Sequence, residues 1–142
     1  MESDIIVKIN NKICCYNSQN GNIIITDDND LIMEKYNFGN INILGILGNS
    51  NTILYYTCDR VCDFNGKTII KLENVTIYDI TMDDENIYIL ENDYYIFKYH
   101  TDGTYIKTWT IKSHKVYDTS SKIILDKGKI YYWERANKKN RR

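Results

Sequence analysis

An all-β chain of antiparallel meander repeats is predicted by three observations. Short runs of β-branched and aromatic residues follow one another, each closed by Gly or by Asn/Asp turn residues. The arrangement recurs along the chain at a spacing of roughly 40 residues. Several runs are apolar at every position, as strands covered on both faces should be. Composition points the same way. Pro is absent, Ala occurs once at Ala136, and Tyr occurs 13 times in 142 residues. A chain so poor in Ala and so rich in Tyr and Ile disfavours long helices and favours strands.

The clearest stretch is 86–111. Apolar runs at 87–90, 94–99 and 105–111 are separated by Glu91-Asn92-Asp93 and by Thr101-Asp102-Gly103-Thr104. The Asp-Gly pair is a strong short-range hairpin signal. From the N-terminus, runs fall at 5–9, 13–16 and 23–26, with Asn20-Gly21 between the last two. An acidic break, Asp27-Asp28-Asn29-Asp30, comes next. Residues 31–38 are the candidate for a helix or an irregular crossover, because Leu31, Met33 and Tyr36 do not settle a period. Residues 39–51 are loop-prone. A second copy follows at 52–57, 60–64 and 68–72, with Asn65-Gly66 in its last turn. The third is the 86–111 stretch, preceded by a strand at 75–80 and the turn Asp83-Asp84-Glu85-Asn86. A partial fourth closes the chain: 115–118 echoes 76–79, and 130–134 echoes 87–91 across Asp126-Lys127-Gly128-Lys129.

Gly21, Gly66 and Gly103 are read as equivalent turn residues, 45 and 37 apart (66 − 21, 103 − 66). That spacing suits four-stranded propeller blades. The fold class expected is therefore all-β, antiparallel meander repeats, propeller-like. A β-trefoil, which also uses three four-strand repeats, is the alternative. The expected count is a three-strand start, two fuller units and a two-strand end, so both ends expose strand edges that invite pairing. Residues 1–134 are expected to form one β-repeat domain, and 135–142 a basic, disordered tail.

The third copy carries a family resemblance. It has an apolar strand ending in Glu91, then Ile96 with Tyr99, then Asp102-Gly103, then Ile106-Lys107-Thr108-Trp109. This pattern resembles the blades of NHL and YVTN-type β-propeller repeats. The resemblance covers about 25 residues. It implies a propeller architecture and no particular activity, because propellers host many functions. The second copy departs from it with a shortened Asn65-Gly66 turn, and Trp109 has no counterpart in the other copies.

Charge and hydropathy exclude several functions. A net charge of −1 gives the body no general attraction to nucleic acid or anionic membrane. No apolar run is long enough for a membrane helix, and the acids ahead of the first apolar run do not suit a signal peptide. An intracellular, cytoplasmic protein is the expectation. Heavy use of Ile, Asn, Lys, Tyr and Asp suggests an AT-rich genome, such as that of a large DNA virus or a protist. The Asn74-Val75-Thr76 sequon is then a chance match.

Chemistry-bearing residues are sparse. Cys14 and Cys15 are neighbours in a strand and must face opposite ways, so only one could join Cys58 and Cys62 around a metal. His100 and His114 sit in no catalytic string, and nucleophile-elbow, zinc-protease and phosphate-loop motifs are absent. The acids at 27–30 and 83–85 lack the spacing of a calcium loop. No catalytic residue, metal ligand or cofactor is assigned. Aromatic residues are abundant instead: Tyr55, Tyr56, Tyr88, Tyr94, Tyr95, Tyr131, Tyr132 and Trp133. Tyr and Trp suit interfaces because they bring apolar area with a polar handle.

The function expected is a non-enzymatic protein-interaction or scaffold module, viral in origin and self-associating. Tyr131, Tyr132 and Trp133 are placed at a homodimer interface. Carbohydrate binding by a lectin-like trefoil is the alternative. The tail residues Arg135, Lys138, Lys139, Arg141 and Arg142 are the one expected route to nucleic acid, or act as a localisation signal.

Overall fold

The computed structural model describes residues 5–91, 95–111 and 122–133, the last without the Trp133 side chain. The chain divides into two compact units, one ending at Lys71 and the other beginning at Leu72. The described residues hold fourteen strands and no helix.

The first unit contains two four-stranded antiparallel sheets. In the first sheet β1 (Ile5–Ile9), β2 (Lys12–Asn17), β3 (Asn22–Thr26) and β4 (Ile32–Asn37) lie in chain order. Period-2 alternation sends Cys14 and Tyr16 of β2, and Ile23 and Ile25 of β3, into the core. In the second sheet β5 (Gly45–Gly48), β6 (Ile53–Tyr56), β7 (Arg60–Asp63) and β8 (Thr68–Lys71) are ordered the same way. Ile43, Ile46, Tyr55 and Cys62 join Ile9, Cys14, Tyr16, Ile23 and Ile25 in one apolar cluster. Tyr36, Phe38 and Phe64 pack against it, with Tyr36 and Phe64 edge-to-face at 5.0 Å between ring centroids. Such aromatic pairs contribute about 0.5–1.5 kcal/mol beyond their buried area.

The second unit contains a four-stranded sheet and a hairpin. In the third sheet β9 (Ile77–Met82), β10 (Asn86–Glu91), β11 (Tyr95–His100) and β12 (Tyr105–Thr110) again pair in sequence. Ile87, Tyr88, Ile89 and Leu90 are all buried, so β10 is covered on both faces. The hairpin of β13 (Lys122–Asp126) and β14 (Lys129–Trp133) turns through Lys127 and Gly128, both at positive φ. Two positive-φ residues in a two-residue loop match the right-handed twist of the flanking strands. Ile123 docks this hairpin on Tyr88, Leu90 and Ile96. Its backbone N–H also donates to Asp79 Oδ2 at 2.9 Å.

The first three sheets share one turn chemistry between their third and fourth strands. The amides of Asp27, Asp63 and His100 donate to the carbonyls of Leu31, Lys67 and Thr104 at 2.8–3.0 Å. Asp27 Oδ1 accepts from the amides of Asn29 and Leu31, and Asp63 Oδ1 from those of Asn65 and Lys67. The residues at positive φ are Asp30, Gly66 and Gly103, which lie 36 and 37 apart (66 − 30, 103 − 66). A register shift adjoins each turn, between Ile25 and Thr26, Val61 and Cys62, and Lys98 and Tyr99 on the third-strand side. The first turn also recurs: Asn49 and Asp83 each accept two amide hydrogen bonds through their side-chain oxygens.

Several sequence expectations are corrected. Gly21 is not equivalent to Gly66 and Gly103, because it lies between the second and third strands of its sheet. The equivalent residue is Asp30, since a short polar side chain tolerates the left-handed conformation there. Residues 31–38 are neither helix nor irregular crossover. They contain β4, an edge strand whose side chains are mostly exposed and so show no burial period. The chain therefore starts with four strands rather than three. Residues 39–51 include β5, whose glycines reflect close approach: a Cβ at Gly45 would strike the Tyr56 ring, and one at Gly48 would lie 2.9 Å from Ile9. The 115–118 strand lies outside the described residues. Sequential meander sheets are not the packing of a trefoil, and that alternative is set aside.

Candidate functional site

Sheet register places a lysine–aromatic face on the third sheet. Across β10, β11 and β12, Tyr88 pairs with Lys98 and Lys98 with Lys107, while Leu90 pairs with Ile96 and Ile96 with Trp109. The hairpin lays Ile123, Ile130 and Tyr132 over the Tyr88, Leu90 and Ile96 end of this face. Among the described residues the hairpin has two strands where the other sheets have four. Among them nothing covers the β11–β12 end of the face, and a groove of about 460 Å³ lies between Trp109, Lys98 and the β14 residues Lys129 to Tyr132.

The groove is ordered by stacking. Tyr88 and Trp109 stack with planes 22° apart and centroids 6.5 Å apart. Lys98 Nζ sits 5.7 Å from the Tyr88 ring centre, and Lys107 Nζ sits 4.6 Å from that of Trp109. The Lys107 contact, at an exposed site, contributes about 0.5–1 kcal/mol. Burial, and then the nearby Asp83 carboxylate, raises the Tyr88 phenol above its ordinary pKa. Among the described residues no acidic residue lines the groove.

The residues singled out in the sequence divide as follows. Tyr131 is exposed and Tyr132 is half-buried against the hairpin's apolar cluster. Trp133 ends β14, and its side chain lies outside the described structure. Arg135, Lys138, Lys139, Arg141 and Arg142 lie outside the described residues, as do Tyr94 and His114. Tyr55 and Tyr88 are buried rather than presented at the surface, because each fills the core side of its strand. Lys98 lines the groove and Lys107 lies over its Trp109 ring; the sequence gives Lys107 only as part of the repeat pattern and gives Lys98 no role.

A second cavity, of about 350 Å³, lies in the first unit and is polar. Lys12, Glu34, Tyr36, Asp63, Phe64 and Asn65 contribute to its wall. The Tyr36 hydroxyl donates to Glu34 Oε1. This hydrogen bond is the main reason that Tyr36 is pushed up to about 12. Tyr55 is also pushed up to about 12, by burial first and then by a hydrogen bond with Cys62.

The folded state thus holds both phenol protons more tightly than an unfolded chain, whose tyrosines titrate near pH 10. Their contribution to stability is complete below pH 10 and is lost as pH climbs from about 10 towards about 12. Urea denaturation across that interval should show falling stability. The Tyr36→Phe, Tyr55→Phe double variant should fall less steeply, and identical slopes would contradict the assignment.

The other polar candidates serve local structure. Cys14 is buried and Cys15 faces the opposite side, as alternation requires; Cys58 is exposed in a turn and Cys62 is buried. All four are free thiols. Asp27 and Asp83 accept backbone amides in their turns. Among the described residues no cluster of three or more His, Cys, Asp or Glu could hold a metal. Among them, too, no helix is long and apolar enough to cross a membrane.

Consecutive strands paired into successive antiparallel sheets, each closed by the same turns, define a β-propeller-like module, and solved structures agree. The chain is similar to KlHsv2 with its loop 6CD replaced by a Gly-Ser linker, at 14% identity and a TM-score of 0.70 over 90% of this chain and 48% of that one. It is similar to apo AztD from Citrobacter koseri, at 11% identity and a TM-score of 0.68 over 92% of this chain and 40% of that one. It is also similar to the computationally designed Ika4 protein, at 11% identity and a TM-score of 0.62 over 92% of this chain and 89% of that one. Hsv2 and AztD are β-propeller proteins. The chain spans about half the length of KlHsv2 or less than half that of AztD. At these identities the likeness is one of fold. No family model and no curated protein matches the sequence.

Proposed function

We propose that this chain is a non-enzymatic protein-interaction module whose propeller-like sheets belong to the NHL/YVTN type. The observation that carries this reading is the β11–β12 end of the third sheet, left uncovered by the described residues, where Trp109, Lys98 and Lys107 stand beside a sheet whose described strands number two. An aromatic anchor ringed by cations is the composition of an interface, where Trp, Tyr and Arg dominate the energetics and apolar area comes with polar handles. The test is affinity capture from native cells with wild type and with Trp109→Ala, both checked for native near-ultraviolet circular dichroism. A set of proteins lost with the variant is expected. Identical sets would sink the reading, and selective glycan binding on an array would favour the carbohydrate alternative, with the polar cavity at Glu34 and Asp63 as its site.

Self-association is part of the proposal. The outer face of the first sheet carries Ile6, Cys15 and Ile24 in one cross-strand row, with Ile6 66% exposed. The outer face of the hairpin pairs Ile124 with Tyr131, both about half exposed. Apolar rows at the surface are covered most economically by a second copy in a closed two-fold dimer. Light scattering well above micromolar concentration should give twice the chain mass. Ile6→Asp or Ile124→Asp should return it to a monomer, and a monomeric wild type would rule out the dimer.

A further inference from the structure

Lys98 and Lys107 are direct cross-strand partners, so two like charges stand opposite each other on one sheet face. Such a pair repels and is destabilising unless something neutralises it. No carboxylate lies within ion-pair distance of either lysine among the described residues, where the recorded ion pair is Arg60 with Asp59. Both ammonium groups instead lie over aromatic rings, and Lys129 adds a third positive charge to the groove wall. The floor between them is apolar, with Ile96, Ile130 and the Trp109 ring.

The hairpin supplies the second half of the argument. Its two-residue turn makes Asp126 and Lys129 a hydrogen-bonded pair, so the backbone groups of Ile130 point away from β13. In the other three sheets the strand after the second one continues the ladder on that side. Among the described residues no strand continues the ladder beyond β14, whose residues Lys129 to Tyr132 line the groove.

From this juxtaposition we infer that the groove takes an extended, acidic peptide segment of a partner protein. The segment lies alongside β14, places an apolar or aromatic side chain against Trp109 and Ile96, and sets its carboxylates against Lys98, Lys107 and Lys129. The inference rests on the interaction reading and names the partner's chemistry. Backbone pairing with a sheet edge supplies affinity, and alternate side chains supply selectivity. The chain's own tail, with Arg135, Lys138, Lys139, Arg141 and Arg142, has the same sign of charge as the groove. A second copy carries its acidic clusters at 27–30 and 83–85 in tight turns between strands rather than in an extended segment.

The test uses the full chain and an N-acetylated seven-residue peptide alternating Glu with Tyr and Ile, followed by calorimetry. Binding is expected at low salt and should weaken as salt is raised. The same peptide with Lys for Glu should not bind, nor should one with alternate backbone amides methylated. Lys98→Gln with Lys107→Gln should weaken binding about tenfold or more, and Trp109→Ala similarly, as loss of a central anchor does. The lysine changes, at exposed Lys107 and half-buried Lys98, keep the test independent of any folding defect in the tryptophan variant. Equal binding of the Lys peptide, or of the methylated one, would overturn the inference. Tighter binding of oligothymidylate at the same lysines would assign the groove to nucleic acid and overturn it too. So would peptide binding that requires the copies of a dimer to separate. If no peptide binds while Trp109→Ala still empties the affinity capture, this inference falls and the interaction module stands.

Discussion

Leu90→Ala is expected to destabilise the second unit by about 2–5 kcal/mol, the usual range for emptying a fully buried leucine site. Leu90 is 0% exposed and sits mid-sheet on β10, among Tyr88, Ile96 and Ile123. β10 is paired on both sides, to β9 and to β11, so its backbone cannot easily move to close the void. The lost side chain also anchors the hairpin, whose apolar residues rest on the same cluster. Urea denaturation followed by tryptophan fluorescence measures the effect. A loss below about 1 kcal/mol, as at a surface site, would contradict this packing.

Gly21→Ala is expected to be nearly as severe, for a different reason. Gly21 has φ 74, a region that costs an L side chain about 1–2 kcal/mol. A Cβ there would also overlap the Gly39 carbonyl oxygen and lie 2.8 Å from the Gly39 nitrogen, both backbone atoms. Overpacking of this kind adds about 1–3 kcal/mol. The Gly21 carbonyl accepts the Phe38 amide at 2.8 Å, so a shift would pull Phe38 from its neighbours Tyr55 and Phe64. Gly66→Ala is the control. Gly66 has φ 89 but open space around a Cβ, so it should cost the conformational part alone. Equal urea midpoints for the two variants would show that the Gly39 contact is relieved cheaply.

The strands that could be read from the sequence are those with local signals at both ends. β7 and β8 flank Asn65-Gly66, and β11 and β12 flank Asp102-Gly103, where turn and apolar run agree. β4 was illegible because an exposed edge strand needs no apolar period. β5 was illegible because its glycines answer to packing rather than to a local signal, Gly45 to Tyr56 on the next strand and Gly48 to Ile9, far away in sequence. The first repeat was placed one turn out of phase because Asp30 does a glycine's work there. For the candidate site, Tyr131 and Tyr132 stood out within an aromatic run. The Lys98–Lys107 pairing did not, because the bulge at Lys98/Tyr99 shifts the register by one. Period 2 alone puts Lys107 on the face of Trp109, but a one-residue shift exchanges the two faces of a strand, so no count along the sequence could have put Lys98 there as well.

Every ladder in the described structure joins strands that are consecutive in the chain. That has a kinetic consequence. Each pairing closes a short loop, and loop-closure entropy grows with loop length. The slow step of many β-proteins, the search for a distant partner strand, is absent from these sheets, whose ladders have low contact order. Refolding should therefore be fast for an all-β chain, with each sheet able to form from its own hairpins. A nascent chain leaving the ribosome could complete one meander before the residues of the next had emerged, leaving few strand edges waiting at any moment for a partner still to be made.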